Sequence, residues 1–225
     1  MKMAIRNTVI RGLGWLDDRA WGLVRQHRRK AYGEGDGPPP WTQGDLFSYP
    51  VRKLGRFDAV SRMTICACAL ALKDAGVCCG EGQKQDIGLI GSNEAGSQDA
   101  NAAYFKDYLQ AGRVSARGNL FVYTLASSPL AEAAIHFGLE GPLFYVGFPG
   151  CGLVDLLDEG VRLIADGEAA GMLAVRADER EAIAFLLGSA EGRGMAVREA
   201  ANLIRAGNGI DERVGELALR MEERL

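Results

Sequence analysis

Histidine is nearly absent: His27 and His136 are the only two in 225 residues. The vicinal cysteines Cys78-Cys79 have no second ligand pair to complete a tetrahedral site, so no metal and no cofactor are expected. Charge of one sign is also missing. Lys plus Arg number 26 against 29 Asp plus Glu, a net charge of -3. Such a balance implies neither a nucleic-acid partner nor a membrane surface. No run approaches the ~18 apolar residues of a transmembrane helix. "MKMAIRNTVIRGLGWL" has a charge inside its apolar stretch and no small-residue cleavage site, so it does not read as a secretory signal. No solenoid-type repeat is present. The five cysteines, Cys66, Cys68, Cys78, Cys79 and Cys151, are odd in number. Two of them sit inside an apolar helical run. Reduced thiols in a cytoplasmic protein are the expectation.

What is present is an alternation of strands and helices. "AIRNTVIRGLGWL" reads as a first strand, with Gly12-Leu13-Gly14 as a tight turn; without the rest of a GxGxxG pattern it is no phosphate loop. Arg25 to Trp41, "RQHRRKAYGEGDGPPPW", reads as a loop with a basic cluster, three glycines and three consecutive prolines. Its two readings are a solvated surface loop and a docking patch for an acidic partner. "DAVSRMTICACALALKDAG" is a helix closed by Gly76, with cysteines as small core fillers. "QDIGLIGS" has the apolar run of a buried parallel strand. A loop and helix follow in "NEAGSQDANAAYFKDYLQAG". "SSPLAEAAIHFG" has Ser128 as N-cap, Pro129 at the first helical position and Gly138 past the end.

"LFYVGF" is then a strand and "GLVDLLDEGVRLIADG" an amphipathic helix. Leu153, Leu156, Leu157, Leu163 and Ile164 share its apolar face; Asp155, Asp158, Glu159 and Arg162 form its polar stripe. "AGMLAVRA" and "AIAFLLGSA", joined by "DERE", should form an antiparallel hairpin at one side of the sheet. The last thirty or so residues read as charged helices, broken near Asn208. The pattern predicts an α/β fold with helices on both faces of the sheet.

Several stretches carry a resemblance. "KLGRFDAVSRMTICACALALKDAG", "DIGLIGSNEAG", "HFGLEGPLFYV", "GEAAGMLAVRADE" and "EAIAFLLGSAEGRGMA", in this order and spacing, resemble the N-terminal half of the β-ketoacyl-acyl carrier protein synthases. The resemblance implies half of a thiolase-like fold: a mixed, mostly parallel five-stranded sheet with helices on both faces. It spans 1–196, with a loop insertion at 25–50 and a helical C-terminal tail at 197–225. It also implies a site. Counting from Gly141-Pro142 places the family's acyl-accepting nucleophile at Gly150, one residue before Cys151. Arg162-Leu163-Ile164 and Gly167-Glu168 stay in register. Asn93, Phe148, Gly150 and Cys151 would line the pocket. The family's two catalytic histidines belong to a C-terminal half that this sequence does not reach.

Two functions follow from the resemblance. One is a non-catalytic accessory or partner protein in fatty acid or polyketide-type biosynthesis. The other is an acyl-transferring enzyme with Cys151 as acyl acceptor, its thiol acidified by the helix N-terminus. No residue is assigned as catalytic, and Cys151 is the sole candidate. The expected partners are a second copy of the chain, a full-length ketosynthase or an acyl carrier protein. Leu143, Phe144, Tyr145, Val146 and Gly147 would form a dimer interface by strand pairing. Leu157 would form one through the following helix, if that helix's apolar face is uncovered.

Overall fold

The computed structural model describes residues 8–32, 41–112, 117–147, 150–189, 194–207 and 213–224. Its strands are β1 (Thr8–Leu16), β2 (Ala20–Leu23), β3 (Arg28–Ala31), β4 (Ile87–Ser92), β5 (Leu143–Tyr145), β6 (Gly171–Ala177), β7 (Ala182–Ser189) and β8 (Met195–Ala196). Its helices are α1 (Gln43–Leu46), α2 (Ala59–Asp74), α3 (Gln98–Ala111), α4 (Gly118–Val122), α5 (Ser128–Phe137), α6 (Leu153–Ala165), α7 (Val197–Ala206) and α8 (Val214–Glu222). One sheet runs β3-β2-β1-β7-β6-β4-β5, with β8 beside β1.

The five strands expected from sequence are its contiguous centre and one edge. β4 is parallel to β5 and β6, and β7 is antiparallel to both β6 and β1. Four of the five therefore run one way and only β7 opposes them. β2, β3 and β8 bring the sheet to eight strands. The β6–β7 hairpin forms as expected, closed by the Asp178 N–H on the Glu181 carbonyl. It lies inside the sheet rather than at one side, because β1 pairs along the far flank of β7. The 25–50 segment is likewise not all loop, since Arg28–Ala31 pairs with β2. The break near Asn208 lies outside the described residues.

Strand alternation sorts the core into two layers. Ala182, Ala184 and Leu186 of β7, with Leu173 and Val175 of β6, face α2 and α5. Ile183, Phe185 and Leu187, with Met172 and Ala174, face α6, α7 and α8. The first layer explains Gly12 and Gly14. They are mid-strand, not in a turn. A Cβ on Gly14 would lie 2.3 Å from the Ala71 nitrogen and one on Gly12 2.3 Å from the Ala71 oxygen. The glycines let α2 lie directly on β1. Asp58 caps α2, accepting from the Ser61 N–H at 2.8 Å. Cys66 and Cys68 are buried fillers whose thiols burial pushes upward, Cys68 to about 12. At the C-terminal end of α2, buried Asp74 accepts from the N–H groups of Leu13, Arg25 and Gln26 at 2.8, 3.1 and 3.0 Å, tying the helix to the first hairpin.

The second layer corrects the expectation for Leu157. The apolar face of α6 is not bare. Leu156 and Leu157 are fully buried, with Leu153, Val161 and Leu163 nearly so, between the sheet and the C-terminal helices. α7 contributes Val197 and Ala200, and α8 contributes Val214, Leu217, Ala218 and Met221. Leu157 is thus an intramolecular core residue with no surface for a partner. A smaller shift concerns α5, whose N-cap is Ser127; Ser128 is its first helical residue, and its hydroxyl donates to the Val122 carbonyl. Among the described residues no helix is long and apolar enough to cross a membrane.

Candidate functional site

The C-terminal ends of β4, β5 and β6 converge with the turn before α6 on a cleft of about 960 Å³. Clefts beyond the carboxyl ends of parallel strands are where open α/β sheets place ligands. Ser92 and Asn93 come from the end of β4, Tyr145 from β5, Gly150 and Cys151 from the turn, and Arg176 from β6. Asp178 enters from the β6–β7 hairpin and Arg205 from α7.

Gly150 is exposed, with a left-handed φ of +84° and no atom within 4 Å of where a Cβ would be. It has no side chain to present. Cys151 follows it, half-buried, and precedes the helix rather than starting it: Gly152 is the N-cap and Leu153 the first helical residue. The Gly152 N–H donates to the Asp155 carboxylate at 2.8 Å. The positive end of α6 is thereby occupied by its own acid, as suits a first turn.

The Cys151 thiol is raised above the ordinary cysteine value. Burial is the largest cause and the Asp155 charge adds to it, while a Ser92 hydrogen bond and the Arg176 charge oppose. That direction runs against the expected acidification. The helix dipole that would stabilise a thiolate is already facing a carboxylate.

Asn93 and Tyr145 make the other fixed pair. The Tyr145 hydroxyl donates to Asn93 Oδ1 at 3.1 Å, and Asn93 Nδ2 donates to the Gly96 carbonyl at 3.0 Å. Of the pocket residues expected from sequence, Asn93, Gly150 and Cys151 do line the cleft, and Phe148 lies outside the described residues. Ser92, Asp155 and Arg176 were not anticipated. The polar stripe did include Asp155, and a Ser at the carboxyl end of a parallel strand was the available signal for Ser92.

A second cleft of about 840 Å³ shares the Asn93–Ser97 loop and is bordered by Asp58, Asp99, Tyr123 and Glu179. Beyond it, α3 and α4 contribute no buried residue. Phe105 and Leu109 of α3, Phe121 of α4 and Leu125 are each more than half exposed. β5 is the sheet edge, pairs only with β4 among the described residues, and leaves Phe144 47% exposed.

Comparison with known proteins gives a family and a fold. The family model described as "Beta-ketoacyl synthase, N-terminal domain" matches residues 15–181. Comparison with curated proteins finds no match. Among solved structures, a β-ketoacyl synthase from Burkholderia phymatum STM815 is similar at TM-score 0.59 and 15% identity, covering 82% of this chain and 59% of that one. The ishigamide ketosynthase/chain length factor gives TM-score 0.61 and 17% identity, over 83% and 63%. A ketosynthase in complex with its chain length factor from Xenorhabdus doucetiae gives TM-score 0.54 and 15% identity, over nearly equal shares of 81% and 79%. The chain spans about three fifths of the length of the first two.

Proposed function

The chain belongs to the family of the β-ketoacyl synthase N-terminal domain, and on that premise we propose that it is a non-catalytic partner subunit of a ketosynthase. The observation that carries this reading is the turn before α6. Where the resemblance counts the family's nucleophile, Gly150 has no side chain. The neighbouring Cys151 has its thiol raised and its helix end taken by Asp155. Chain extension needs a thiolate to attack an acyl thioester and donors to hold the resulting oxyanion. This turn provides no activated thiolate. The cleft shapes an assembly and performs no condensation.

The partner surface is the β5 edge. Among the described residues its backbone is unpaired on one side, and Phe144 is exposed beside it. An open edge strand with an apolar side chain is a template for another chain. The similarity to ketosynthases in complex with chain length factors supports a ketosynthase as the chain that pairs there. An acyl carrier protein is the further partner such an assembly would receive, and the cytoplasm is where it would act. A homodimer through the same edge is the competing assembly.

The experiment is co-expression with the ketosynthases of the same genome, followed by light scattering coupled to size exclusion. The expected result is a 1:1 complex that Phe144→Asp and Tyr145→Pro abolish. A stable homodimer that ignores every ketosynthase would overturn the reading. So would a 24.1 kDa monomer in every mixture.

A further inference from the structure

The opposite edge of the sheet carries a different surface. β3 pairs only with β2 among the described residues, so its outer backbone groups are unpaired there. All four of its residues, Arg28, Arg29, Lys30 and Ala31, are exposed. Arg25 precedes it, concentrating cations in a chain whose net charge is -3. Side chains of a strand alternate between faces. Arg28 and Lys30 therefore share one face and Arg29 takes the other.

The cations are only partly neutralised. Lys30 is 3.4 Å from Asp45. Among the described residues no carboxylate pairs with Arg28 or Arg29. The Arg29 guanidinium is instead held 5.7 Å above the centre of the Trp15 ring. Gly22, opposite Arg29 in the ladder, makes room for that indole: a Cβ there would be 2.5 Å from Trp15 Nε1. Arg29 is positioned by stacking, which leaves its donors free for an anion.

We propose that the β3 edge is a docking strand for an extended acidic segment of a partner protein. The segment adds to Arg28–Ala31 through main-chain hydrogen bonds. It sets carboxylates against Arg28 and Lys30 on one face and against Arg29 on the other. Main-chain pairing supplies length and register, and charge supplies selectivity. A nucleic acid would meet the same cations without using the strand's N–H and C=O groups. The inference is independent of the ketosynthase reading, because the two surfaces lie at opposite edges.

The test is fluorescence anisotropy on the purified chain. The probe is a labelled, end-blocked peptide of about ten residues, with Glu at positions facing both ways and Val and Thr between them. Saturable binding is expected, weakened by added salt as exposed charge pairs are screened. Arg28→Glu/Arg29→Glu should weaken it about tenfold or more, and Arg28→Gln/Arg29→Gln by less. Both pairs are exposed, so unchanged circular dichroism and melting separate loss of binding from loss of fold. Methylating alternate peptide nitrogens should abolish binding if the peptide adds as a strand. Three results would overturn the proposal: no saturable binding, binding indifferent to both arginine pairs, or tighter binding of a single-stranded oligonucleotide than of the peptide. The first would mean that the cations only guard an open edge against aggregation.

Discussion

Gly14→Ala should be among the most damaging single-methyl additions to this chain. Its Cβ would lie 2.3 Å from the Ala71 nitrogen, 2.4 Å from Leu70 Cβ and 2.5 Å from the Leu70 carbonyl carbon. These are backbone and near-backbone atoms of α2 and cannot swing aside, so the helix must lift off β1 by an ångström or more. Overpacking of this kind costs about 1–3 kcal/mol, and a rigid neighbour puts this site at the upper end. The opposing effect is the lower entropy of an unfolded chain with Ala for Gly, worth about 0.5–1 kcal/mol. Strain wins, leaving a net loss of about 2 kcal/mol. For a chain of this size, that lowers Tm by about 4–8 °C. Thermal and urea unfolding followed by circular dichroism would read it. Gly55→Ala is the control, since no atom lies within 4 Å of that Cβ and its φ is not left-handed; it should stay within about 0.5 kcal/mol of the parent. A Gly14→Ala variant as stable as the parent would refute the claim that this glycine exists for close helix approach.

Asp74→Ala removes one acceptor group from three N–H donors, of which the Leu13 bond is buried. A loss of about 3 kcal/mol is expected, with Asn restoring part of it; urea midpoints decide, and an unaffected midpoint would rule out the tie. His136 has its folded pKa lowered by burial, and its Nε2 is buried without a hydrogen-bond partner. A depressed folded value means stability is present above the ordinary histidine pKa of about 6.5 and lost as pH falls through the folded value. Unfolding free energy should therefore drop as pH falls below about 6.5, and His136→Leu should flatten that part of the drop. An unchanged pH profile in the variant would contradict this.

Much of the fold was legible because local and global signals agree. The apolar stretch of α2, closed by Gly76, and the Asp178–Glu181 hairpin each announce their structure within a few residues. What was hidden depends on distant partners. Gly12-Leu13-Gly14 reads as a turn because glycine marks both turns and close approach, and only the arrival of α2 some sixty residues later selects the second. "RRKA" has no apolar side chain, so β3 is held by backbone pairing that the pattern cannot reveal. Leu157 reads as facing a partner because the resemblance expects a second half-fold on that helix, while the charge of the tail masks its own apolar stripe. Val214, Leu217, Ala218 and Met221 recur at helical spacing and bury against the layer that α6 belongs to. At the site, the one-residue offset of Cys151 was visible by counting. Its consequence was not, because it depends on Asp155 turning back onto Gly152.

On the reading proposed, the turn at 150–152 carries no acyl chemistry. Intact-mass spectrometry of the purified chain, after incubation with activated acyl thioester and malonyl thioester, tests it most directly. An unchanged protein mass and no ketoacyl product are expected. A stoichiometric acyl adduct mapped to Cys151 and lost in Cys151→Ser would contradict it and establish the chain as an acyl-transferring enzyme.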